Sequence, residues 1–281
     1  MPKALFKSNH GPVTEENLIS SCQAVGIHRG DTIMIHSQLF SLGTLGDIPD
    51  REALCDRIIV ALLDVIGTEG TLILPTFTFS FCRKKVYDPA NTPSEMGVLT
   101  EIGRKLRGAI RTLHPIYSVA VLGRASFRFL DASTCSCFGE GSFFSFLRDE
   151  AKETGRVKFL SLGIDLPPTA LTYVHHVEEC VGVPYRYQKK FEGELVMDGQ
   201  RLPTATNFYV RDMTRPVEFA GEACWQLWRN AGIVASAALG DSFVCMVKER
   251  DLFNVTMAAV QNKPDFLCRD GYCNRPDGST Q

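Results

Sequence analysis

The stretch "TIMIHSQLFSLG", residues 32–43, decides the fold. Its first part, "TIMIHS" (32–37), is a short, largely apolar run of the kind that forms a strand buried on both faces. It closes on His36 and Ser37, and a Ser/Gly-containing turn follows. Ligands of open α/β sheets bind at the carboxyl ends of strands. The stretch therefore offers a core strand and a candidate site together.

Three further runs share its character: "TLILPTF" (71–77), "SVAVLG" (118–123) and "VKFLSLG" (157–163). Helical patterns lie between them. Residues 14–25 open on Thr14 as an N-cap, carry Glu15 and Glu16 in the first turn and stop at Gly26. Residues 51–66 follow Asp50, place Leu54, Ile58, Ala61, Leu62 and Val65 at helical spacing, and stop at Gly67. A third helix is expected from near Ser94. The alternation predicts an α/β fold with a central, largely parallel sheet flanked by helices. After Tyr185 the character changes to a β-hairpin with "DG" (198–199) as its turn, a helix over 218–231 and a mixed tail. The expectation is a single domain over 1–281: a core at 13–187, a C-terminal hairpin/helix elaboration at 188–270, and a tail at 271–281.

The chain has 281 residues, 22% of them charged, and a formal net charge of −2. That balance excludes a basic nucleic-acid binder, and no apolar run is long enough for a transmembrane helix. Several of the ten cysteines sit in apolar patterns, where cysteine acts as a small hydrophobe. Reduced thiols and a cytoplasmic location are expected.

Chemistry is densest in "LTYVHHVEECVGVPY" (171–185). Read as a helix over 169–182, it sets Thr172, His175 and Glu178 on one face. A carboxylate one turn from an imidazole can fix its tautomer and raise its basicity, the arrangement of a general base. Such pairs are also common as surface or satisfied core groups, and spacing alone leaves both readings open. Zinc fits less well, because a third ligand is missing and Cys135/Cys137 and Cys268/Cys273 form no convincing set.

Five segments, "IHSQLFSLG", "GTEGTLILPTFT", "YDPANTPSEMGVLTEIGR", "RTLHPIYSVAVLG" and "TALTYVHHVEECVGVPY", follow one another as in the aminoglycoside 3-N-acetyltransferase family, which this sequence resembles from about residue 13 to 187. The resemblance implies an acetyl-CoA-dependent N-acyltransferase of α/β architecture, distinct from the GNAT enzymes. The nearest approach to the GNAT acyl-CoA loop, "QAVGIH" (23–28), breaks that pattern at His28. The resemblance places the base at His175 with Glu178 as its partner. Tyr185, seven positions after Glu178, supports that register and leaves His176 and Glu179 as packing neighbours. Asp198 is its candidate third acidic member. Pantetheine and phosphate contacts are expected from His36, Ser37, Ser41, Leu42, Gly43, Thr76, Arg111, His114 and Ser118. Thr172 could supply an oxyanion donor.

The acceptor side carries Arg186, Lys189, Lys190, Arg201, Arg211 and Arg215 against Glu192, Glu194, Asp198 and Asp212. A polycationic acceptor calls for acidic groups. Arginines such as Arg186 and Arg211 suit an amine that bears phosphate. The expected acceptor is a small-molecule amine, such as a nucleotide-linked amino sugar, with an aminoglycoside as the alternative. A non-catalytic CoA-binding protein, or a hydrolase using a pair such as Cys82 and His114, is the alternative of another class. No metal, nucleic acid or membrane is expected as a partner; a homo-oligomer is compatible with the helix at 218–231.

Overall fold

The structure, a computed structural model, describes residues 3–164, 171–214 and 217–269. The four apolar runs of the sequence form four of its five inner strands: β3 (Thr32–Ser37), β5 (Thr71–Pro75), β7 (Val119–Gly123) and β8 (Val157–Leu162). Short β6 (Ile110–Arg111) and the pair β11 (Val234–Leu239) and β12 (Ser242–Lys248) complete a seven-stranded sheet of order β11-β12-β8-β3-β5-β7-β6. β3 pairs in parallel with both β5 and β8, from Thr32 opposite Thr71 and Val157. Only β7 and β12 run against the other five strands.

The reversal of β7 has a local cause. A parallel return must carry the chain back across the sheet, yet the one α-helix in 76–118 is the six-residue α3 (Val98–Gly103), roughly 9 Å long. Instead Thr76 N–H bonds the Ser118 carbonyl and Thr78 N–H bonds that of Ile116, prolonging the antiparallel ladder. The helix expected from Ser94 starts later because Ser94 is used as a brace. Its hydroxyl pairs with that of Thr100, and its N–H bonds Glu101.

The remaining helices are α1 (Glu15–Ala24), α2 (Arg51–Ile66), α4 (Phe143–Thr154), α5 (Val174–Val181), α6 (Gly221–Asn230) and α7 (Glu249–Asn262). Thr14 and Asp50 cap α1 and α2 through the backbone N–H groups of Asn17 and Ala53. Alternation along β3 puts Ile33 and Ile35 on one face with α1 and α2, and Met34 on the other with α4 to α7. The second face is rich in aromatic rings, and the candidate site opens there.

β9 (Arg186–Met197) and β10 (Gln200–Arg211) form the expected hairpin, a two-stranded sheet of its own. Asp198 and Gly199 both have positive φ, 51° and 75°, as a two-residue turn between twisted strands requires. β12 by contrast pairs with β8. The chain after 188 thus supplies an edge of the central sheet as well as a hairpin beside it. β1 (Phe6–Ser8), β2 (Gly11–Val13) and β4 (Thr44–Leu45) make a small third sheet. The tail at 271–281, Arg215, and the start of the helix expected from 169 lie outside the described residues.

Candidate active site

His175 lies in the first turn of α5, which begins after the Leu171 and Thr172 carbonyls accept the N–H groups of Val174 and His175. Gly182, at φ 73°, stops the helix and turns the chain toward Tyr185 and Arg186, which reach back to it. Glu178, one turn after His175, is fully buried. Its Oε2 lies 2.5 Å from His175 Nδ1, and its Oε1 accepts the Tyr185 hydroxyl at 2.6 Å. Arg186 Nε lies 2.8 Å from Oε2, an ion-pair contact without hydrogen-bond alignment. The same guanidinium donates to the Tyr209 carbonyl at 3.0 Å.

These distances decide the tautomer. Arg186 Nη2 also lies 3.0 Å from His175 Nδ1, but Nδ1 cannot accept from it while donating to the carboxylate. A carboxylate only accepts, so the shorter contact places the proton on Nδ1 and leaves the lone pair on Nε2. Burial, joined by the Arg186 charge, holds the imidazole below the usual histidine range against the pull of Glu178. Burial alone would raise the Glu178 carboxyl; His175, Arg186 and Tyr185 together lower it. The result is an ionised carboxylate and a neutral imidazole, a base ready to accept a proton. Phe138 and Phe219 pack edge-on to the ring, with centroids at 5.5 and 6.2 Å.

Two clefts meet at this imidazole. The first, about 350 Å³, opens at the carboxyl ends of β3 and β5 and is lined by His36, Ser37, Pro75, Phe77, Met96 and Thr172 among others. The second, about 460 Å³, lies against the hairpin and is lined by Tyr187, Lys189, Phe208, Arg211, Met213 and Phe219 with Arg186. His175 and Tyr117 border both. An imidazole between two clefts can take a proton from a group in one as it attacks a group in the other.

His36, Ser37 and Thr172 are therefore brought together with His175 and Glu178, and Arg211 borders the second cleft. Other expected contacts prove structural. Ser41 donates to the Gln38 and Gly163 carbonyls, and Leu42 is buried with its carbonyl accepting Asp241 N–H. Gly43, at φ 138°, lies so near Lys7 that a Cβ would come within 2.5 Å of that carbonyl. None of the three borders either cleft.

Thr76, Ser118 and Arg111 form a closed network. Arg111 donates from Nε to both hydroxyls, and from its terminal nitrogens to the Thr76, Pro89 and Thr92 carbonyls. The guanidinium is spent on holding the crossover. His114 accepts the N–H groups of Ile116 and Tyr117 on Nδ1 and meets the Ser136 carbonyl with Nε2. Both nitrogens are occupied, which also removes the pair with Cys82. Asp198 sits exposed in the hairpin turn at the far end of a 12-residue strand from Arg186, on the order of 35 Å of extended chain. Arg186 borders the second cleft as expected, but its guanidinium also pairs with Glu178 and donates to the Tyr209 carbonyl.

His176 faces the other way. Its Nδ1 is 2.6 Å from the Phe138 carbonyl, and Nε2 faces the Cys180 thiol. Glu179 bonds Gln188. Tyr185, used in the sequence only to mark register, proves to be a ligand of Glu178. Tyr117 carried no sequence signal at all. Among the described residues, no three metal-ligating side chains converge.

Burial pushes His114 down to about 4, against about 6.5 in an unfolded chain. Between those values the unfolded chain binds a proton that the folded chain does not, so stability falls as pH falls through this window. The expected loss is ~3 kcal/mol by pH ~4. His36, likewise held near 4 by burial, adds to the same window. Denaturant midpoints that stayed level from neutral pH to this range would contradict the burial of the His114 ring.

The profile of the aminoglycoside 3-N-acetyltransferase family matches residues 34–261, well past the 187 at which the sequence resemblance weakens. Aminoglycoside N(3)-acetyltransferase VII of Streptomyces paromomycinus is 30% identical over 219 residues, covering 71% of this chain and 72% of its own. Aminoglycoside N(3)-acetyltransferase VIII of Streptomyces fradiae is 26% identical, with 71% and 72% covered. Among solved structures, aminoglycoside acetyltransferase AAC(3)-Xa superposes with a TM-score of 0.76 at 23% identity, over 93% of this chain and 96% of that one. A binary complex of AAC-IIIb with CoASH gives 0.74 at 22% identity, over 89% and 96%. At these identities the superpositions establish the fold. The sequence matches establish more: the chain belongs to the aminoglycoside 3-N-acetyltransferase family.

Proposed function

We propose that this enzyme acetylates a primary amine on an amino sugar that also carries phosphate, with His175 as the general base. Membership of its family makes it an acyl-CoA-dependent N-acyltransferase acting on an amino sugar, with acetyl-CoA as co-substrate. The acceptor and the residue roles are the proposal. One observation carries the acceptor: the charged side chains lining the second cleft are Arg186, Lys189 and Arg211, with no carboxylate among the described lining residues. Glu178 neutralises Arg186. Two cations remain to meet an anion, and nothing in that lining meets several ammonium groups.

The first cleft fits the acyl donor. Ile35, Pro75, Phe77, Phe79 and Met96 give it apolar walls, suited to a narrow pantetheine arm. The buried His36 Nε2 on the same strand end has no hydrogen-bond partner among the described residues. Such a group is costly unless something meets it, and an amide or thioester carbonyl of the donor is the right chemistry. When bound, the thioester supplies an activated acyl carbon. The protein's own work is to hold that carbon beside His175, exclude water, and take the amine proton on Nε2. Glu178 stabilises the imidazolium that results.

Thiol release from acetyl-CoA, measured against aminoglycosides and against nucleotide-linked amino sugars, tests the acceptor. Turnover confined to the nucleotide sugars, weakened by salt, is the expected result. Efficient turnover of aminoglycosides alone would overturn the phosphate-bearing acceptor. That second reading is favoured by the activity for which the Streptomyces paromomycinus and Streptomyces fradiae enzymes are named.

A further inference from the structure

We propose that Tyr117 is a further catalytic residue, whose phenol donates a hydrogen bond to the thioester carbonyl oxygen as negative charge develops there. The inference rests on the reading of acyl transfer at His175. It starts from position: Tyr117 and His175 border both clefts. A carbonyl carbon held in one cleft and attacked from the other must lie where they join, so its oxygen is within the reach of groups placed there.

The hydroxyl is available. Four other buried tyrosines each have a partner: Tyr87 donates to the Thr112 carbonyl, Tyr173 to Glu249, Tyr185 to Glu178 and Tyr209 to the Val183 carbonyl. Among the described residues, no hydrogen bond engages the Tyr117 hydroxyl, although the residue is only 5% exposed. Buried tyrosines ordinarily find a partner, and a substrate oxygen is the one this position offers. Burial also holds the phenol well above its usual range, so it stays protonated and can donate.

The ring is held before substrate arrives. Phe138, Phe77, Phe208, Phe144 and Phe79 surround it at centroid distances of 4.7, 4.9, 5.4, 6.0 and 6.0 Å. Preorganised donors stabilise developing charge best because they need no reorganisation during the reaction. The Thr172 hydroxyl, the donor expected from the sequence, lines the first cleft and not the second.

The step balances with these groups alone. The amine nitrogen bonds the carbonyl carbon, the carbonyl π pair moves onto oxygen, and Tyr117 O–H donates to that oxygen without giving up its proton. His175 Nε2 takes the amine proton. The oxygen pair then returns, the C–S bond breaks, and the imidazolium gives the proton to the departing sulfur to form the thiol.

The test is Tyr117→Phe, which removes one unpaired hydroxyl and keeps the packed ring. Hydroxylamine serves as the acceptor, so the result does not depend on which sugar is used, and His175→Ala is measured beside it. The expected result is a fall in kcat of about 10²–10³-fold, with acetyl-CoA affinity and Tm close to those of the parent. A kcat near the parent value would overturn the proposal, as would a loss of acetyl-CoA affinity equal to the loss of rate, which marks ground-state binding. If His175→Ala keeps its rate while Tyr117→Phe loses it, the base assignment fails and the phenol's role stands. The reverse pattern sinks the phenol and leaves the base.

Discussion

His175→Ala is expected to lower kcat for acetyl transfer by about 10²–10⁴-fold, the usual worth of a positioned general base. Affinity for acetyl-CoA should change little, because the proton Nε2 accepts belongs to the amine. The parent enzyme should also lose activity as pH falls through the His175 pKa, which burial and Arg186 place below the ordinary histidine value. Protonation there fills the lone pair on Nε2. That acid limb should be missing from whatever rate the alanine variant retains.

His176→Ala is the control. Its ring is oriented toward the Phe138 carbonyl and Cys180, on another face of α5. Most of the rate should survive, and only packing around Phe138 and Phe253 is disturbed. Equal loss in both variants would mean that the register of the helix, and with it the identity of the base, is misread. Initial rates of thiol release across pH for the three proteins settle the point.

That register was legible because a helix converts spacing into geometry. His175 and Glu178, three apart, must share a face, and Gly182 had to end the helix. Apolar runs were equally direct, since a strand covered on both faces has no polar side to disguise it. Direction was not legible: "SVAVLG" reads the same way up or down, and its antiparallel course depends on the short helix and ladder bonds of the crossover before it. β11 was missed because "VASAAL", half-exposed at the sheet edge, lacks a continuous apolar signature. β12 does carry one, "FVCMV" (243–247), buried over Val244–Val247, a signal as direct as those of the other inner strands.

The site residues divide along the same line. His36, Ser37 and Thr172 reach the clefts because they stand at element ends facing the sheet's carboxyl edge. Thr76, Arg111, His114 and Ser118 have the residue types of a binding site, but the crossover consumes their hydrogen-bonding capacity. No single-sequence argument separates a donor that awaits a ligand from one that has found a carbonyl forty residues away. Asp198 failed for a related reason, because Asp-Gly is first a turn and only then a carboxylate.

Glu178→Gln should be the most informative single change, because it alters almost no volume and three interactions at once. The amide can still accept the Tyr185 hydroxyl on its oxygen. Its NH₂ then faces His175 Nδ1, where the carboxylate had accepted a hydrogen bond at 2.5 Å. Two donors cannot face each other, so Nδ1 must become the acceptor and the ring proton must move to Nε2. The lone pair that takes the amine proton is lost, though no catalytic atom has been removed. The expected fall in kcat is about 10⁴-fold, the scale on which loss of an orienting carboxylate through the wrong tautomer acts in serine proteases.

Stability should fall as well. The Arg186 side chain is only 5% exposed and has its ion pair with Glu178. Removing one partner of a buried pair costs about 3–5 kcal/mol, since the other charge is left uncompensated. In a chain of this size that corresponds to a fall in Tm on the order of 10 °C. Adding Arg186→Met to Glu178→Gln removes the stranded charge and should recover much of that loss. Turnover should stay low, because the amide still holds Nδ1 in its accepting form. Parallel recovery of Tm and kcat in the double variant would show that Glu178 acts on the rate only through the fold; recovery of Tm alone assigns it to the tautomer.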